Sequence, residues 1–144
     1  MRIALFVLMM IAAVAHADPD LVIIVNADNA VKLSPDYLEG VFLKKEKFFS
    51  GDVPIVALNA APDSALRQEF DRIVLNLTPE QSARYWIDAR VRSGETPPKE
   101  LADSALTVKL VAKLKGGIGY VPVTTQLSGV RVVGQIKAGK LVLP

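Results

Sequence analysis

The chain has no cysteine, and its one histidine, His16, lies among the first seventeen residues. Those residues read as a secretory leader. Arg2 supplies the positive end and Ile3 to Val14 the apolar run, while Ala15-His16-Ala17 forms a small-x-small cleavage site followed at once by polar Asp18-Pro19-Asp20. The run is too short for a spanning helix, so a periplasmic location is expected. Removing 17 of the 144 residues leaves 127, residues 18 to 144, which suits one domain with its own core. That mature chain would have neither His nor Cys. A His-assisted serine nucleophile, a catalytic thiolate, the usual zinc ligands and any disulfide are thereby excluded. No metal or other cofactor is expected, and stability must come from apolar packing. Aromatic residues are also sparse, at 6%. The formal charge of +2, reduced to +1 without Arg2, comes with no basic stripe interleaved with aromatics, so nucleic acid has no footprint.

What the chain does have is alternation of apolar strands with amphipathic helices. The stretch from Val53 to Leu77 organises it. Val53, Ile55, Val56 and Leu58 predict a strand, Asn59 to Asp63 a bend, and Ser64 the start of a helix with Leu66, Phe70, Ile73, Val74 and Leu77 on one face. The crevice at the carboxyl end of such a strand is where small ligands dock in open α/β sheets. Unpaired N–H groups at the helix start, carrying the positive end of its dipole, suit an anion. The simpler role of Asp63 or Ser64 is to cap the helix.

Leu21 to Val25 predicts a strand buried on both faces, ending at Asn26 and a polar turn through Asn29 near the crevice. Ser34-Pro35 starts a helix that carries Leu38, Val41 and Phe42 inward and finishes near Lys44. The basic run Lys44 to Lys47, interrupted by Glu46, reads as a solvated face, and Phe48 and Phe49 as a lid over the core. Thr78-Pro79-Glu80-Gln81 is a capping box opening a helix to about Arg92, with Ala83, Trp86, Ile87 and Val91 along one side and an Arg84–Asp88 pair on another. After the Ser93 to Pro98 loop, Asp103 caps a helix whose apolar arc of Leu106, Val108, Leu110, Val111 and Leu114 predicts deep burial. Gly117 to Pro122 predicts a strand whose glycines allow close approach of a neighbouring strand or a ligand; Val130 to Ile136 predicts another, and Lys140 to Pro144 an edge. The expected fold is one α/β sandwich domain with a largely parallel central sheet flanked by helices.

Three motifs in order carry a resemblance: Leu33-Ser34 with Leu38, Val41-Phe42-Leu43 and Lys44; Tyr85-Trp86 with Gly94, Pro97 and Pro98; and Gly116-Gly117-Ile118-Gly119-Tyr120-Val121. Together they resemble the periplasmic phosphate-binding proteins of ABC importers, over roughly Leu21 to Val123. The resemblance implies one lobe of a type II periplasmic-binding-protein fold, where the full-length relatives close two lobes over the anion. It also implies an anion held at the start of the central helix. The matching stretch here is Asn59 to Leu66, in which Ser64 keeps a hydroxyl beside the N–H groups of Ala65 and Leu66, no arginine precedes it, and Asp63 opposes an anion. The candidate ligand-binding residues are Ser64, Ala65, Leu66, Asn59, Asn26, Gly119 and Tyr120.

Two readings of function follow. One is a periplasmic solute-binding-like module taking phosphate or another small oxyanion for a membrane transporter or sensor, with pairing of two chains as a way to rebuild a two-walled cleft. The other is a ligand-free single lobe that docks on a periplasmic or envelope partner. An enzymatic reading would rest on a carboxylate pair such as Glu69 and Asp71, which at i, i+2 do not share a helix face and read as solvated charges.

Overall fold

The computed structural model describes residues 19–144; the expected leader lies outside them. Strand β1 (Leu21–Asn26) is buried along its whole length. Helix α1 (Pro35–Phe42) starts on Ser34, whose hydroxyl accepts the Tyr37 N–H, with Pro35 in the first turn. It stops before the expected Lys44, which adopts a left-handed φ of 57°. The basic run has a structural use: Lys44 and Lys47 both engage Glu95 in the loop beyond the next long helix. The hydrogen bond from Lys47 holds the Glu95 carboxyl below its ordinary range.

The single strand expected from Val53 is in fact two elements. Strands β2 (Phe48–Phe49) and β3 (Val53–Pro54) form a separate hairpin, and β4 (Val56–Ala60) enters the main sheet. Pro54 has no N–H to continue a ladder, which accounts for the break. Phe49 is buried and Phe48 exposed, so only one of the two covers the core. Helix α2 (Ala65–Phe70) runs into a π-helical turn, Asp71–Leu75, closed by Asn76 in the left-handed region.

Helix α3 (Pro79–Ser93) carries the complete capping box between Thr78 and Gln81. Its buried face differs from the expected one, being Ser82, Trp86 and Ala89, while Ile87 and Val91 are 64% and 85% exposed. Small residues one turn either side of Trp86 let the helix approach closely; Ile87 and Val91 sit on the adjoining stripe. Strand β5 (Lys99–Leu101) follows, then α4 (Ser104–Lys113) capped by Asp103. In α4 only Thr107, Val108 and Val111 are fully buried; Leu106 is exposed, and Leu110 and Leu114 are half-buried. The chain ends in β6 (Gly117–Pro122), β7 (Val130–Lys137) and β8 (Lys140–Val142).

The main sheet has the order β5-β4-β6-β1-β7-β8. Strands β4, β5, β6 and β7 share one direction, so four of six strands are parallel in sense, with β1 and β8 running against them. Helices cover both faces. Leu21, Ile23 and Val25 of β1 face Leu38, Val41, Phe42 and Phe70, whereas Val22 and Ile24 face Val108 and Val111 of α4. This is why β1 reads as an unbroken apolar run. At the centre, the Phe70 and Tyr120 rings stack with centroids 3.9 Å apart, and Phe42 meets Phe70 edge-on at 4.6 Å.

The glycines before and within β6 serve close packing. A Cβ on Gly116 would lie 1.8 Å from the Pro54 carbonyl oxygen, and one on Gly117 would lie 2.9 Å from the Val111 Cα. Among the described residues no helix is long and apolar enough to cross a membrane.

Candidate functional site

At the carboxyl end of β4 the chain bends through Ala61 to Asp63 and enters α2. Ser64 takes the capping position: its Oγ accepts the Arg67 N–H at 3.1 Å and donates to the Ala61 carbonyl at 2.7 Å. The hydroxyl is therefore fully engaged within the bend. The N–H groups of Ala65 and Leu66 lie in the first turn, where a helix offers no backbone acceptor. Ala65 is exposed, Leu66 half-buried, and Asp63 exposed beside them.

Asn59 and Tyr120 meet just behind this bend. The Tyr120 hydroxyl donates to Asn59 Oδ1 at 2.9 Å and accepts the Ala60 N–H at 3.1 Å. Burial pushes the phenol well above its ordinary value, so it stays protonated and keeps the donor role. This bond ties β6 to the end of β4 and fixes where the bend begins.

Gly119 and Asn26 lie elsewhere. A Cβ on Gly119 would meet Thr107 Cγ2 at 2.9 Å, so the position serves the packing of α4 on the sheet. Because β1 runs antiparallel to β6, Asn26 emerges at the end of the sheet opposite the α2 start, not beside the crevice as expected. There its Nδ2 donates to the carbonyls of Val111 and Ala112 at 3.1 and 2.9 Å, capping the last turn of α4.

Arg67 escapes a reading that looks only upstream of Ser64. It comes from the helix itself and is buried. Its Nε donates to Asp71 Oδ2 at 2.9 Å, its Nη1 donates to the Ala60 carbonyl at 3.2 Å, and Glu100 of β5 lies 3.7 Å from Nη1. Asp71 and Glu69, read from sequence as solvated, are both buried. Glu69 is held by Arg72 at 2.8 Å and Asp71 by Arg67, each pair one helical turn apart. Burial pushes the Asp71 carboxyl above its ordinary value against the pull of Arg67. The i, i+4 spacing of Arg67 and Asp71 was the available signal; nothing in the sequence pointed to Glu100, which β5 delivers opposite Asn59.

Two cavities border these elements. One of about 240 Å³ lies on the flank of α2 that faces α3 and β5, lined by Arg67, Asp71, Ser82, Trp86 and Glu100 among others. A groove of about 1060 Å³ lies at the opposite end of the sheet, where Asn29, Lys32, Tyr37, Phe49 and Lys115 meet. Its β1–α1 loop is pinned by the Arg131 guanidinium, which donates to the carbonyls of Asn29 and Val31.

No family model matches the sequence, and no curated protein does. Solved structures do. An ABC-type phosphate transport receptor from Vibrio cholerae superposes with a TM-score of 0.62 at 15% identity, over 81% of this chain and 47% of the receptor. A structure described as a phosphate ABC transporter substrate-binding protein with bound phosphate, from Clostridium perfringens, matches with a TM-score of 0.62 at 19% identity, over 81% of this chain and 45% of that one. PstS from Borrelia burgdorferi matches with a TM-score of 0.57 at 12% identity, over 73% and 41%. The chain thus has the α/β fold of periplasmic phosphate-binding-type proteins, as its motifs indicated, and spans about half the length of these structures.

Proposed function

We propose that this chain is a periplasmic solute-binding-like module that takes phosphate or another small oxyanion at the start of α2 and presents it to a membrane transporter or sensor. The observation that carries this reading is the pair of N–H groups on Ala65 and Leu66, which lie in the first turn of a capped helix at the carboxyl end of β4. The fold shared with phosphate receptors supports it, and so does the leader-like first seventeen residues. Binding here is a matter of backbone donors and helix dipole, because the Ser64 hydroxyl and the Arg67 Nε are already engaged.

Calorimetric titration with phosphate, then sulfate, at low salt tests the reading. Asp63→Asn should tighten binding by removing a like charge. Ala65→Pro should weaken it while leaving the fold intact, since proline is well tolerated in the first helical turn yet brings no N–H. Absence of heat at millimolar phosphate, or equal affinity in both variants, would dispose of the site.

One observation favours a second reading, in which the lobe docks on a protein partner and binds no small molecule. Ile87 and Val91 stand one turn apart and exposed on α3 beside Arg84. In that case Asp63→Asn and Ala65→Pro are both silent, and polar replacements at Ile87 and Val91 disrupt function.

A further inference from the structure

The 240 Å³ cavity on the flank of α2 contains a feature that the oxyanion reading does not use. Asp71 is only 4% exposed and lines this cavity, and its Oδ1 has no hydrogen-bond partner. Oδ2 is satisfied by Arg67 Nε. The Ser82 hydroxyl nearby favours the ionised carboxyl without bonding Oδ1. A buried carboxylate oxygen left without a donor is costly, and an occupant that brings a donor relieves that cost.

The lining defines what that occupant must be. With Asp71 ionised, Arg67 contributes one positive charge and Asp71 and Glu100 two negative ones, leaving the cavity one negative charge in excess. An oxyanion is disfavoured there; a monocation balances it. Ser82 and Gln68 add neutral acceptors, and the indole of Trp86 offers an apolar wall. The π-helical turn begins at Asp71, a local widening of a kind that recurs at functional sites. Three N–H donors, one positive charge and a short apolar body meet all of these demands.

We propose that this cavity is a binding site for a small primary ammonium ion, its N–H groups on Asp71 Oδ1 and the Glu100 carboxylate and its alkyl body against Trp86. The site is separate from the oxyanion site at Ala65 and Leu66, so failure of phosphate to bind leaves it standing.

Trp86 is the chain's sole tryptophan, which makes its fluorescence a direct reporter. The test is a titration of the full chain with propylammonium chloride at neutral pH and constant ionic strength, with tetramethylammonium chloride as the cation that has no N–H. A saturable change with propylammonium and none with tetramethylammonium is expected. Glu100→Gln, at an exposed side chain, should weaken binding about tenfold or more, and Asp71→Asn at least as much. A response that never saturates, an equal response to both cations, or unchanged affinity in Glu100→Gln would overturn the proposal, whether or not Asp71→Asn folds.

Discussion

Arg67 and Asp71 illustrate how a buried ion pair sets its own pH dependence. The fold raises the Asp71 carboxyl above its unfolded value because lost hydration outweighs the attraction of Arg67. Its stabilising contribution is therefore complete below the unfolded value, about pH 4, and is lost as pH rises through the elevated folded value. Asp71→Asn removes that titration. Relative to this variant, the wild-type chain should lose thermal stability as pH rises above about 4; a difference in unfolding midpoint that stays constant across the series would show that folding leaves this carboxyl unshifted. The pairing was legible in the spacing of the two residues. Their burial was not, because it depends on α3 and β5 closing over a helix face whose charges, taken alone, suit water equally well.

At the scale of elements, the helix starts were plain in the sequence because capping is local chemistry. Ser34-Pro35, Ser64, Thr78-Pro79 with Gln81, and Asp103 each cap the helix they precede. Strands of two and three residues have no period to detect, so β2, β3 and β5 emerge only from their partners. The glycine motif was visible, with its purpose open between a ligand and a neighbour; the Pro54 carbonyl and α4 are close neighbours there. Gly116→Ala should accordingly destabilise the chain by about 1–3 kcal/mol or more in urea unfolding, since a backbone carbonyl cannot swing aside as a side chain can. By contrast Ile87→Ser and Val91→Ser, on the exposed stripe of α3, should each change stability by no more than about 0.5 kcal/mol in the same assay. A large loss there would mean that this stripe is covered in solution.

For the whole molecule, the likeness to phosphate receptors extends over about half the length of those proteins. The anion site proposed at the α2 start draws its donors from that one helix start, and a second copy of the chain is the simplest source of a further wall. Sedimentation velocity with and without phosphate should show a two-chain species formed on phosphate addition. One-chain mass in both conditions would exclude a second copy of this chain as that wall. The sheet order carries a further consequence, for the speed of folding. β1 comes first among the strands yet pairs with the sixth and seventh, Leu21 lying opposite Pro122 on one side and Ile136 on the other. The strand at the heart of both apolar layers must therefore wait for the last third of the polypeptide before its hydrogen bonds form, and the entropy of closing so long a loop precedes any reward. Folding should run in the slow, topology-limited regime, with the nascent strand dependent on its surroundings until β7 arrives.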